Sequence, residues 1–182
     1  MERLTGELPE GLAFGFLTAI DSPSHGLFGG YLVVDLTGRP LEFHCTAPIK
    51  VSRAQQILYG STLQNHLHGQ QIGACLLTES TLKPQIVLTD LESMLHVRLH
   101  TKLPVALVRR PEATASGNDF TVGHNRIGST TTDAYQETML HEKLSVLVAS
   151  VTSANRLNAF VLRLTKRSDT RCEVNLTQWQ NV

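Results

Sequence analysis

Cysteine, aromatic side chains, surplus charge and long apolar runs are all scarce in this chain, and each scarcity removes a class of protein. Its three cysteines, Cys45, Cys75 and Cys172, are odd in number and widely spaced, so they do not form the even framework that staples small secreted domains. They read instead as reduced, buried small hydrophobes, which suits the cytoplasm. Aromatics make up 5% of the residues and no dense basic run interleaves with them, which argues against the stacking platform and positive stripe of a nucleic-acid binder. No apolar run approaches the roughly 18 residues that cross a bilayer, and Met1-Glu2-Arg3-Leu4-Thr5-Gly6-Glu7 lacks a basic region followed by an apolar core; neither a membrane span nor export is expected. There is no Gly-x-Ser-x-Gly elbow, and Gly26 to Gly30 is neither a phosphate-binding Walker loop nor a dinucleotide fingerprint, because no helix follows it. No motif implies a cofactor.

What is present fits a single α+β domain over 1–182. With 182 residues, 41% hydrophobic and 18% charged, the chain can bury a substantial core. Formal net charge is zero, but residues 1–91 carry five Lys/Arg against eight Asp/Glu, and 92–182 carry eleven against eight. The halves are therefore suited to attract each other, or the basic half to face a partner.

The strongest pattern is Gly29-Gly30-Tyr31-Leu32-Val33-Val34-Asp35 and Leu41-Glu42-Phe43-His44-Cys45 on either side of Thr37-Gly38-Arg39-Pro40, which predicts a β-hairpin over 29–45. The apolar run 12–20 supplies a third antiparallel strand, with Gly26 to Gly30 as the connecting turn. Ser52-Arg53-Ala54-Gln55 and Ser61-Thr62-Leu63-Gln64 each match a capping box, and Gly60 between them suits the end of the first helix. The second helix runs to about Glu79 with Leu63, Leu67, Ile72, Cys75 and Leu76 on one face. Gly69 and Gly73 each cost it roughly 1 kcal/mol relative to Ala, which suggests a close neighbour.

Further on, 85–89 and 104–108 read as buried strands, while 91–100 fits a short helix or a strand equally. Residues 111–131, rich in Gly, Ser, Thr and Asn, predict a long flexible loop with one short strand at 120–122. A long helix opens at Asp133-Ala134-Tyr135-Gln136 with Leu140, Leu144, Leu147, Val148 and Val151 facing the core, and alternation around Phe160 to Leu164 and Cys172 to Leu176 predicts a C-terminal hairpin. The fold expected is an N-terminal antiparallel sheet with flanking helices, then the long helix and the hairpin.

Candidate chemistry is sparse. Among eight histidines, His66 and His68 sit about 200° apart on a helix, His96 and His100 share a face with nothing to complete a metal site, and His44 and Cys45 point to opposite faces of a strand. No metal site is therefore expected. Four carboxylates lie on strands or at their ends: Asp21, Asp35, Glu42 and Asp90. Arg53 and Tyr59 flank the helix junction and could form a recognition surface, although Tyr59 also suits the core with its hydroxyl at the edge.

Two resemblances follow from these residues. Three antiparallel strands, a helical region, a strand ending in acid and a further strand resemble the order of the ribonuclease H-like fold over 12–108; that resemblance implies clustered carboxylates holding divalent ions for phosphodiester cleavage. Separately, Gly-Gly-Tyr-Leu-Val-Val, Gly-Arg-Pro-Leu-Glu-Phe-His-Cys-Thr-Ala-Pro and Arg-Ala-Gln-Gln-Ile-Leu-Tyr-Gly are similar to an uncharacterised bacterial protein family over 29–90. This implies a bacterial cytoplasmic protein and carries over no functional residue. The reading that results is a non-enzymatic binding or accessory module recognising a protein partner or itself, with Arg53 and Tyr59 as binding residues. The alternative is a divalent-metal phosphodiesterase or nuclease using Asp21, Asp35, Glu42 and Asp90.

Overall fold

The computed structural model describes residues 12–109, 119–123, 125–130, 132–133 and 137–152. Strands β1 (Ala13–Ser22) and β2 (Gly26–Asp35) pair antiparallel in unbroken register, from Ala13 opposite Asp35 to Ser22 opposite Gly26. β3 (Pro40–Cys45) pairs antiparallel with β2. Beyond a helical region, β4 (Ile86–Thr89) runs parallel to β1, and β5 (Val105–Arg109) parallel to β4. The hairpin of β6 (Asp119–Val122) and β7 (Asn125–Ser129) then completes a seven-stranded sheet in the order β3-β2-β1-β4-β5-β7-β6.

The 29–45 hairpin forms as expected. Asp35 N–H donates to Arg39 O at 3.1 Å, Gly38 N–H donates to Asp35 O at 3.0 Å, and Gly38 takes the positive φ of +77° that the turn needs. Pro40, which has no N–H for a central ladder, starts an edge strand. The sheet is mixed rather than the purely antiparallel N-terminal sheet expected, because the helices between β3 and β4 give the chain a crossover long enough to return beside β1 in the same direction.

Five consecutive helical pieces lead from β3 toward β4. α1 (Arg53–Tyr59) begins at Ser52 with the expected capping box to Gln55, and Gly60 closes it at φ +49°. A 3-10 turn (Gly60–Thr62), α2 (Leu63–Asn65), a π-helical segment (His66–Ala74) and α3 (Cys75–Glu79) then follow without a break. Ser61 caps nothing, because the chain is already helical there. The wide π turn also shifts the helical phase: Leu67, Ile72 and Leu76 are buried, but Cys75 is exposed, as is Cys45 on the edge strand. The expectation of buried cysteines fails at both positions, and Cys172 lies outside the described residues.

Glycines set how closely the layers approach. Gly26 to Gly30 lie inside β2 rather than in a turn, and a Cβ on Gly29 would overlap Ile72 Cγ2. A Cβ on Gly69 would come within 2.8 Å of His96 Cβ, and one on Gly73 within 2.7 Å of Val97 Cγ2. The close neighbour suggested by those glycines is therefore a 3-10 helix, Glu92–Leu99, which settles the 91–100 ambiguity.

Strand alternation divides the core into two layers. Leu17, Tyr31, Val33, Val87 and Val105 pack beneath the π-helical segment and the 3-10 helix. Phe14, Phe16, Ile86, Leu88, Ala106 and Ile127 pack on the other face beneath α4 (Glu137–Thr152), whose Leu140, Leu144 and Leu147 are buried as the spacing predicts. All four β4 side chains are buried, as a strand covered on both faces requires.

Two strands, β6 and β7, occupy the region expected to be a loop with one strand; β7 pairs with β5 and so extends the sheet. Asp133 is fully buried and does not face solvent as a helix-opening residue would. It accepts both 3.0 Å contacts from Arg98 Nε and a 3.0 Å hydrogen bond from the Thr130 hydroxyl. The predicted C-terminal hairpin lies outside the described residues.

Candidate functional site

The four candidate carboxylates go to different places. Asp35 sits in the β2–β3 turn and accepts from the Thr37 N–H, the Thr37 hydroxyl and the Arg39 N–H at 2.8, 2.6 and 2.9 Å. Burial works to raise its pKa, but these hydrogen bonds and the Arg39 charge outweigh it and hold the carboxyl below its usual value.

Glu42 faces the helical layer and holds the segment that leaves α3. It accepts from the Ser80 hydroxyl, the Thr81 N–H and hydroxyl, the Leu82 N–H and His44 Nε2, all between 2.8 and 3.0 Å. Burial opposes ionisation here too, yet the donors win and pull the carboxyl down to about 2. Beside it, burial pushes the phenol of fully buried Tyr31 well above its ordinary value, so Tyr31 stays neutral.

Asp90 and Asp21 lie toward the other end of the sheet: β4 ends at Thr89, opposite Leu17, and β1 runs on past it to Ser22. Asp90 follows β4 and accepts a 2.8 Å hydrogen bond from Thr18 on β1. Alternation along β1 carries Asp21 to the opposite face, with Leu17 and Ala19, toward the π-helical segment. Asp35 and Glu42 are remote from both by register, since Asp35 pairs with Ala13 at the start of β1 and Glu42 with Val33. Among the described residues, no three His, Cys, Asp or Glu side chains come together as a metal-ligand group.

A further polar pair lies where the π-helical segment meets the 3-10 helix. His68 Nδ1 lies 2.6 Å from Ser93 Oγ, linking the π-helical segment to the first turn of the 3-10 helix, and both side chains are half-buried. Burial holds the His68 pKa below its ordinary value, and the charge of Asp21 offsets part of that effect. Glu92 next to Ser93 reaches Arg109 of β5 at 3.5 Å, and Arg109 Nε lies 3.6 Å from Asp119. The His68–Ser93 pair was not legible in the sequence, because 25 residues separate its members and only the packing of two helices joins them. His96 and His100 do not share a face: three residues per turn puts positions four apart about 120° out of phase, and His100 lies beyond the helix end.

A second candidate region is α1, which buries none of its side chains. Ile57 is 76% exposed and Leu58 79% exposed, one turn after Arg53 and Ala54. Tyr59 anchors the end of the helix by stacking on His66, with ring centroids 4.2 Å apart and planes inclined by 14°. Arg53 is exposed beside Ile57, and Tyr59 is half-buried.

No protein-family model and no curated protein matches the chain. Among solved structures, it is similar to an endonuclease V from Ciona intestinalis in complex with a 23-mer DNA containing an inosine, at TM-score 0.41 and 13% identity, covering 74% of this chain and 57% of that one. It is also similar to an Argonaute from Marinitoga piezophila in complex with a guide RNA, at TM-score 0.34 and 10% identity, covering 71% of this chain and 25% of that one. The chain thus spans less than two thirds of the length of either. Likeness this distant says nothing of shared chemistry. Among the described residues, no helix is long and apolar enough to cross a membrane.

Proposed function

We propose that the protein is a binding module that recognises a second copy of itself through α1. The observation that carries this reading is the pair Ile57 and Leu58, adjacent and more than three quarters exposed on a helix with no buried side chain. A seven-residue helix is too short to persist alone. This one is held by its Ser52–Gln55 capping box and the Tyr59–His66 stack rather than by its apolar residues. Covering a large aliphatic side chain is worth roughly 1.5–3 kcal/mol, so two copies meeting through this helix gain from both residues, with Arg53 at the polar rim.

Light scattering across a concentration series tests this. Self-association is expected to be lost in the double variant Ile57→Glu/Leu58→Glu, while at dilution, where the parent is monomeric, the two melt at the same temperature because neither side chain contributes to the core. A parent that remains monomeric throughout overturns the reading.

The phosphodiesterase alternative is supported by Asp90, which ends the central strand β4 beside β1 and has an oxygen not engaged by Thr18. A cation held there would stabilise the native state by about 2.7 kcal/mol at a hundred times its dissociation constant. Under this alternative, Mn²⁺ raises the melting temperature of the parent but not of Asp90→Asn; under the binding-module reading it changes neither.

A further inference from the structure

We propose that Ser93 is a nucleophile and His68 its general base, giving the seam between the π-helical segment and the 3-10 helix an acyl-transfer activity toward small uncharged esters. This goes beyond self-recognition by α1 and does not depend on it. The geometry is that of an activated hydroxyl: Ser93 Oγ lies 2.6 Å from His68 Nδ1, within the reach that proton transfer requires. For Ser93 to donate, His68 must be neutral with its proton on Nε2, and the burial that depresses its pKa favours that form at neutral pH.

Three further features suit the chemistry. Both side chains are half-buried rather than sealed, so a small substrate can reach them. Ser93 lies in the first turn of an eight-residue 3-10 helix whose first internal hydrogen bond is Met94 N–H to Leu91 O, which leaves the Glu92 and Ser93 N–H groups unused by the helix and available to a developing oxyanion. His68 belongs to a π-helical segment, a geometry that recurs at functional sites. The negative charge of Asp21, which acts on His68, disfavours an anionic substrate and so points to an uncharged one.

The step balances without a further reagent. As Ser93 Oγ bonds to the ester carbonyl carbon, its proton passes to His68 Nδ1. The carbon–oxygen bond to the leaving alcohol then breaks, and His68 returns the proton to that alkoxide, leaving acyl-Ser93 and a free alcohol. Water attacking by the same route releases the acid and regenerates Ser93.

A fluorophosphonate probe reads the first half-reaction directly, because Ser93 Oγ displaces fluoride at phosphorus as the proton leaves through His68. Intact mass and peptide mapping of the parent are expected to show one probe per chain, on Ser93. Ser93→Ala should abolish labelling and p-nitrophenyl acetate hydrolysis, and His68→Gln should slow both by 100-fold or more. Circular dichroism and melting of each variant separate a lost nucleophile from a lost fold. A parent that takes up no probe, takes it up elsewhere than Ser93, or is labelled as fast in His68→Gln as in the parent, overturns the proposal.

Discussion

Glu42 and Asp90 are both half-buried acids of the same sheet, yet Glu42 receives five hydrogen bonds and Asp90 a single 2.8 Å one from Thr18. The difference separates carboxylates that build the structure from those that remain available to a ligand. Glu42 ties the segment after α3 to an edge strand, Asp35 closes a turn, and buried Asp133 neutralises half-buried Arg98. Asp21 is exposed and Asp90 is half-buried with a single side-chain partner, so both are less engaged. Proximity to a strand end does not decide which kind an acid becomes; the number of donors converging on it does.

The sharpest way to break this comparison is at Asp133. Its side chain is fully buried and that of Arg98 is 14% exposed, so Asp133→Ala strands a guanidinium in a poorly hydrated site. A loss of about 3–5 kcal/mol is expected, read as a lower midpoint in urea unfolding. A smaller loss follows for Glu42→Gln, which keeps one acceptor but turns a donor toward Ser80 or the Thr81 and Leu82 N–H groups; about 1–3 kcal/mol is expected.

The pH dependence has a definite sign. The folded Glu42 carboxyl is depressed from 4.5 to about 2, so its contribution is present above 4.5 and is lost as pH falls toward 2. Urea midpoints from pH 6 to pH 2 should therefore fall more steeply for the parent than for Glu42→Gln, and parallel curves would remove Glu42 from the structural group. Asp35→Ala, at an exposed turn, should cost about 1 kcal/mol.

Local pattern made much of the fold legible. The 29–45 hairpin, the Ser52 capping box, the buried run 86–89 and the apolar face of α4 all follow from residues within a few positions of one another. Failures came where distant contacts overrode local signals. Gly26 to Gly30 reads as a turn, but its composition answers to the approach of Ile72 against Gly29; the phase of the helix after Asn65 changes at a π-helical segment that periodicity does not announce. β6 and β7 look polar and loop-like because they lie at and next to an edge of the sheet.

The candidate site was less legible than the fold. Asp90 follows β4 as its position in the sequence suggests, but spacing does not reveal that Thr18 is its partner 72 residues away, nor that His68 and Ser93 meet. Asp133, read from the sequence as the start of a helix, has its role set by Arg98, 35 positions earlier. Each of these contacts depends on a strand register or a helix crossing, and a one-residue change in either would send the side chains to different neighbours.

The smallest expected effect is at Asp90, and it sharpens the comparison most. Asp90→Asn preserves the Oδ1 atom that accepts from Thr18, removes one negative charge from the strand ends, and leaves no buried donor without a partner. Its stability should lie within about 0.5 kcal/mol of the parent, in the range of surface substitutions, and the paired variant Thr18→Val/Asp90→Asn should depart little from the sum of the single changes, since one hydrogen bond at a half-buried position couples the sites only weakly. A loss above 2 kcal/mol in Asp90→Asn would mean that Asp90 is engaged as fully as Glu42. Asp90 would then be a structural joint between β1 and β4, and the division between building and available acids would fail at the position where it matters for function.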